Sequence, residues 1–356
     1  MNPASPTIFE VPRQTGSRVP VHKRIRALCE SAGDESDAAE VFRRLVAEGL
    51  DRLPFPGSGK TIARWRALAA AAAHDLSLAK LFEGHTDALA ILEELDCGAT
   101  QPGGRWGVWA AESPRAKVTV DWQNGRGVRL SGRKSWCSGA AVVDHALLTA
   151  TSETGGSVLV AVSMAQPGIT ICSETWKAVG MRASESADVV LDDALGSIVG
   201  IDGQYVQRRG FWHGGAGIAA CWFGAARALG ETVLQQLRRG ADPHARAHLG
   251  AIAVAIDTAA TLLNEAALTI DLDPSADARP LALRVRAGVE TAATSVLSHA
   301  GRALGATPFC LNARFARHAA DLPVFMRQSH AERDLAALAD AVLGGGTELR
   351  DLYDGE

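Results

Sequence analysis

Residues 131–140, SGRKSWCSGA, set an indole, a thiol and a hydroxyl side by side at the end of an apparent strand, bracketed by glycines and preceded by two cations. Trp136 could stack on an aromatic ring while Ser138 and neighbouring backbone N–H groups hydrogen-bond to it. A Trp buried in a β-core satisfies the same pattern. PFPGSGKT (54–61) approximates a phosphate-binding loop, but Pro54 stands where the first glycine belongs and a helical pattern precedes it. A turn leading into a helix explains that stretch. His244 and His248 have the spacing of two zinc ligands on one helix face, yet Ala245 replaces the glutamate a zinc hydrolase needs. They read as a solvated first helical turn, and EGHTD (83–87) as a polar helix face; no metal site is expected. G-x-S-x-G is absent, as is G-x-G-x-x-G after a strand, which removes the hydrolase elbow and the Rossmann dinucleotide site.

The elements that must position Trp136 and Ser138 follow from period. Between Val21 and Leu95 the pattern is helical: Leu78, Phe82, His85, Leu89 and Leu92 share one face, and Asp75 is placed to cap it. Near Trp106 the period becomes two. Val118, Val120 and Trp122 alternate, Gln123-Asn124-Gly125-Arg126 turns, and Val128 and Leu130 alternate again, a hairpin signal. Further strands are expected at 142–149, 157–164, 168–173 and 187–191. After Gly203 helices return, with Ile218, Cys221, Trp222, Ala225, Leu229 and Val233 on one stripe and Val285, Val289, Ala292 and Val296 on another; 271–280 reads as the loop between helices. The expected class is α+β: an extended tail over 1–20, a helical domain over 21–103, an antiparallel β-barrel or sandwich over 104–200, and a four-helix bundle over 201–356.

Composition narrows the chemistry. With 356 residues, 47% of them hydrophobic, the chain can fill two or three packing units. Lys and Arg number 36 against 40 Asp and Glu, a net charge of −4 without like-charge runs, so neither nucleic acid nor an anionic membrane surface is an expected partner. Six scattered cysteines without a CxxC read as reduced thiols and a cytoplasmic address. The N-terminus has no apolar signal core, and the longest apolar stretch, Gly214–Ala226, falls short of the roughly 20 residues that span a bilayer.

Helical unit, β-unit and bundle, in that order and with these words at these places, resemble the acyl-CoA dehydrogenase family over roughly Val41 to Leu343. The family's K-x-W-I-[ST]-N-[AG] segment, which lies against the flavin of FAD, is similar to Lys134-Ser135-Trp136-Cys137-Ser138-Gly139-Ala140. The resemblance implies that Trp136 packs on the isoalloxazine, that Ser138 hydrogen-bonds near its N5, and that Cys137 lies in the same segment. Ala111-Glu112-Ser113-Pro114 resembles the T-E-P loop between flavin and substrate, Val179 to Ser184 the G-x-R-[GA]-[ST] strand, and Leu191-Asp192-Asp193-Ala194 the closing F-D-D-V. Counting back from Asp257, matched to the acid of L-A-[DE]-M, puts Arg238 where a partner subunit's Arg meets the FAD pyrophosphate, although the expected Phe-Gly does not follow it. Arg302 to Ala306, including Gly305, stands for Q-x-x-G-G. A homodimer or homotetramer is implied.

The family's dehydrogenation needs a Glu opposite the flavin to take the α-proton. Where most members carry Y-E-G-T this chain has Phe325-Met326-Arg327-Gln328-Ser329, and at the alternative position, the start of the first bundle helix, it has Gln207-Arg208-Arg209. Arg stays protonated and cannot substitute. His330, beside Ser329, Glu332, one turn into the last helix, and His213, in Phe-Trp-His-Gly-Gly, are the candidate bases; Glu332 also fits a capping box with Ser329, the favoured reading of that residue. The first reading is an FAD-dependent oxidoreductase passing hydride from an acyl-CoA-like small substrate to flavin N5, served by an electron-transfer protein. A flavin monooxygenase of the same fold, fed by a flavin reductase, and a catalytically degenerate partner subunit are the alternatives.

Overall fold

A computed structural model describes residues 19–349 apart from 98–102, 115, 124, 126, 202 and 241. Most of the expected tail, and Asn124 and Arg126 of the expected turn, lie outside the described residues. Four helices come first: α1 (Val21–Ala32), α2 (Ala38–Ala47), α3 (Thr61–His74) and α4 (Leu76–Glu94). Asp75 caps α4 as its position predicts, its carboxylate accepting the Leu78 N–H at 2.8 Å.

Seven strands follow: β1 (Trp106–Trp109), β2 (Val118–Trp122), β3 (Gly127–Cys137), β4 (His145–Thr151), β5 (Ser157–Ser163), β6 (Ile169–Cys172) and β7 (Ala187–Gly200). They run in the order β1-β4-β2-β3-β7-β5, and β4 also pairs with β5, which joins the sheet back on itself. The β2–β3 hairpin forms in the expected place, with Val118, Val120, Val128 and Leu130 buried and Trp122, beside its turn, exposed. The sheet is mixed, not purely antiparallel: β1 lies parallel to β4, and β2 meets β4 in parallel at Thr119–Thr151. β7 is far longer than expected, because Asp192-Asp193 does not end it. Asp193 takes φ 56° opposite a break in the β3 register between Leu130 and Gly132, so the chain passes through a bulge and keeps pairing. Gly132 is obligatory there, since a Cβ would sit 2.1 Å from the Lys117 carbonyl oxygen.

The remaining helices are α5 (Gln204–Gln207), α6 (Gly210–Leu237), α7 (Pro243–Leu272), α8 (Arg279–Leu304), α9 (Thr307–Leu311), α10 (Ala313–Met326) and α11 (Glu332–Leu343). Both expected apolar stripes are buried. Small residues allow close approach: a Cβ on Gly224 of α6 would meet the Ala69 carbonyl of α3 at 2.3 Å. The N-terminal helices therefore pack directly on the first bundle helix, and one hydrophobic core runs from α1 through the strands to α10. The sequence limit on membrane-spanning length counted only uninterrupted apolar residues, whereas Ala-rich α7 is long and apolar enough by composition to cross a bilayer. Its outward face carries Asp257, Thr258, Thr261, Asn264 and Glu265, and its other side lies along α8, as in a bundle helix.

Candidate active site

The β3–β7 ladder breaks between the Lys134–Val189 and Cys137–Ala187 pairs, and the freed residues bulge outward. Trp136, at φ 58°, turns its indole to the surface with 52% exposed. A left-handed non-glycine residue beside a bulge is a strained device that re-aims a side chain. The alternative of a core tryptophan is thereby removed. Cys137 points the opposite way; it is wholly buried, hydrogen-bonds the Lys134 carbonyl, and burial pushes its thiol well above the usual range. Lys134 is sequestered beneath the strand, its ammonium donating to the Thr149 carbonyl and hydroxyl at 3.0 and 2.7 Å. Glu112 is exposed but close enough to favour the charged form of Lys134, which brings the 111–114 loop to this strand end; Ser113 pairs with Ala116 there.

Ser138 heads a chain of hydroxyls. Its Oγ lies 2.7 Å from Ser186 Oγ, Ser186 lies 3.0 Å from Ser184 Oγ, and Ser184 donates to the Met181 carbonyl at 2.8 Å. A carbonyl only accepts, so each link outward needs the outer hydroxyl as donor. Ser138 is left with lone pairs, and no proton, for a ligand. The segment carrying Ser184 is pinned to the bundle: the Met181 N–H donates to Asp321 Oδ1 at 2.6 Å, and Gly180 packs against the Ala320 carbonyl. Burial pushes the Asp321 carboxyl up to about 6.

After α10 the chain makes the turn where an acid was sought. Gln328 offers its carbonyl to Arg286 of α8 at 2.9 Å, Ser329 is buried with Oγ accepting from the Ala331 N–H, and His330 is exposed. Asp334, not Glu332, ties this turn back. It accepts the His330 N–H at 3.0 Å and lies 3.7 Å from His330 Nδ1. The Ser329–Glu332 capping box does not form, because Ala331 takes φ 42°, which leaves α11 no side-chain cap at its N-cap position. At the start of α6, Arg208 is buried and paired with Glu94 at 3.0 Å and Asp87 at 3.7 Å. Neither position itself carries a carboxylate, and the acid beside the first of them is Glu332, which the unformed capping box leaves exposed at the start of α11.

His213, 3% exposed and without a hydrogen-bond partner among the described residues, lines a cleft of about 260 Å³ with Phe55, Gly57, Glu94, Arg209 and Pro274. Burial lowers its pKa, so the ring is neutral. No residue lining that cleft comes from a β-strand, so His213 and Trp136 belong to different surfaces. Among the described residues no hydrogen bond, ion pair or ring contact joins His330 or His213 to Trp136 or Ser138. The phosphate-loop lookalike is structural: Thr61 gives its N–H and hydroxyl to Asp271 of α7, a carboxylate that would repel phosphate.

Arg238 ends α6, exposed, and Arg302 and Gly305 end α8. His248 and His299 meet at 2.9 Å between their Nδ1 atoms, which sets the start of α7 beside the end of α8 and gathers these cations at one end of the bundle. No cluster of three or more metal-ligating side chains occurs among the described residues. Sequence reasoning missed Ser186 and Arg286, and it passed over Arg246. That arginine stands at the same interval before Glu265 as Arg238 before Asp257, and Leu249-Gly250 follows it where Phe-Gly was sought.

Residues 110–194 match the model of the acyl-CoA dehydrogenase middle domain. Comparison with curated protein sequences finds no match. Among solved structures, TdsC from Paenibacillus sp. A11-2, a dibenzothiophene monooxygenase determined with FMN and indole, superposes with a TM-score of 0.77 at 17% identity, covering 94% of this chain and 98% of that one. Methanesulfinate monooxygenase MsuC from Pseudomonas fluorescens gives 0.76 at 19% identity over 95% of this chain and 100% of that one. A nitrososynthase from Micromonospora carbonacea var. africana gives 0.76 at 18% identity over 94% and 99%. The chain therefore has the acyl-CoA dehydrogenase fold, and its residues 110–194 match the model of that family's middle domain.

Proposed function

We propose that this chain is a flavin-dependent monooxygenase acting on a small molecule. The observation that carries the reading is the absence of a free carboxylate at both positions where dehydrogenation needs one, Gln328 to His330 and Arg208. A missing general base costs about 10² to 10⁴ in rate, so hydride abstraction from an acyl-CoA-like substrate, the first reading of the sequence, ranks second. When bound, reduced flavin supplies the electrons that activate dioxygen, delivered to the chain by a separate reductase.

The residues fit a flavin. The bulged strand end presents the Trp136 indole as a stacking face, and Ser138 offers lone pairs beside it. Trp136 lies on open surface, which suits a site closed by a second protomer, with Arg302 and either Arg238 or Arg246 at the bundle end meeting the phosphate of the partner's cofactor. FMN, as in TdsC, and the FAD implied by the family resemblance both suit this arrangement. His330 holds its Nδ1 toward Asp334, an orientation that leaves Nε2 to exchange a proton with substrate.

The test reduces the flavin-loaded protein, mixes it with isotopically labelled dioxygen and a substrate panel, and follows label into product. Labelled product supports oxygenation. Reduction of the flavin by an acyl thioester, without dioxygen, would overturn it.

A further inference from the structure

Arg286 has an environment that folding alone does not explain. Its guanidinium lies over the Trp222 ring, 5.5 Å from the centroid. It donates to two carbonyls, Gly215 at 3.3 Å and Gln328 at 2.9 Å, and its Nε is buried without a partner. Five N–H groups serve two neutral acceptors. Three carboxylates are near enough to be felt, and all are engaged elsewhere. Glu83 pairs with Lys80, Glu290 pairs with Arg327, and Asp334 ties back the His330 turn. Among the described residues no carboxylate lies within ion-pairing distance of Arg286. A half-buried guanidinium whose Nε is buried without a partner, and which has no ion-paired carboxylate, favours a bound anion beside it.

There is room for one. Gly215, whose carbonyl Arg286 holds, is half-buried in the second turn of α6, and a side chain built there meets nothing within 4 Å. Gly214 beside it is half-buried as well, but a side chain built there would meet Asp87 Oδ1 at 3.1 Å, so the open space lies at Gly215 alone. Arg286 borders that space through the Gly215 carbonyl and tethers the Gln328 carbonyl of the following turn. We infer that Arg286 and the Gly215 surface form a subsite for an anionic head group of the substrate, a carboxylate or an oxyacid of sulfur or phosphorus. A planar guanidinium already fixed on an aromatic ring binds such groups bidentately at little entropic cost. The inference rests on the proposed oxygenase reading for calling the ligand substrate; the anion site itself needs no flavin.

The test needs three chains and two readouts. Wild type, Arg286→Gln and Arg286→Lys are titrated with benzoate, methanesulfonate and inorganic phosphate, with benzamide as the neutral control, by calorimetry. Flavin uptake is measured separately on the same preparations. At least one anion should bind wild type tenfold or more tighter than Arg286→Gln, with benzamide not discriminating and flavin uptake unchanged. Equal binding of all three anions by both chains, or a loss of benzamide binding in Arg286→Gln as large as that of any anion, overturns the subsite. Loss of flavin uptake in every chain would instead overturn the oxygenase reading. Should Arg286→Gln fail to fold, Gly215→Glu and Gly215→Gln decide the matter. The glutamate places a tethered carboxylate in the open space, so it should melt higher than the glutamine and abolish anion binding; equal melting and intact anion binding contradict the proposal.

Discussion

The strand end at Trp136 and the turn after α10 are held by opposite means. Main-chain geometry holds the first: a bulge, a left-handed tryptophan, a glycine that admits no Cβ, and a chain of uncharged hydroxyls. Charge from distant segments holds the second: Arg286 reaches the Gln328 carbonyl from α8, Asp334 returns from α11, and at the nearby start of α6 Arg208 is locked to Glu94 of α4. Backbone-built sites are indifferent to salt and pH and fail by steric insult. Charge-built ones fail when a partner is removed.

Four substitutions can break or sharpen that contrast. Arg208→Gln leaves Glu94 and Asp87 uncompensated beside a buried site and should cost roughly 3–5 kcal/mol by denaturant unfolding; a loss below 1 kcal/mol would show that the charges merely decorate α6. Asp321→Asn tests the joint between the two regions. Its folded pKa of about 6 lies above the unfolded value near 3.9, so the folded protein favours the neutral acid. The burial penalty is absent below about pH 4, grows as pH rises, and is complete above about pH 6. Wild type should therefore lose up to about 3 kcal/mol relative to Asp321→Asn between pH 4 and 7, while Asn still accepts the Met181 N–H; parallel stability curves would contradict this. Gly132→Ala should cost at least about 1–3 kcal/mol from its conformation alone, at every pH and salt concentration, and a salt-dependent loss would place this region in the other class. Ser186→Ala frees the Ser138 proton. It should change the preference between reduced and oxidised flavin by about fivefold, near 1 kcal/mol, with melting temperature little changed; no change in preference removes the hydroxyl chain from the site.

The same contrast explains what the sequence made legible. The Val118 to Leu130 hairpin, the Asp75 cap and the SGRKSWCSGA strand end are specified by neighbours within a few residues, and each appears where its pattern places it. The length of β7 was misread because Asp192-Asp193 resembles punctuation until Gly132 and Ser131 of the partner strand supply the opposing bulge. Glu332 was preferred as a cap over Asp334 because S-x-x-E is a local rule, whereas the left-handed Ala331 shifts the register of the turn. Arg286 carries no local signature, since its acceptors lie 71 and 42 residues away. His213 was expected to face the flavin with the rest of α6, but Gly57 crosses the helix at that point and encloses it in a separate cleft.

The central claim is that the half-exposed indole at 136 is a flavin-stacking face. Titrating purified protein with FMN and with FAD, followed by the flavin absorption spectrum, tests it directly when wild type is compared with Trp136→Ala. Aromatic stacking contributes about 1–3 kcal/mol, so the variant should bind roughly 5- to 150-fold more weakly with an unchanged melting temperature. Wild type that takes up neither flavin, or a variant that binds as tightly as wild type, would contradict the account.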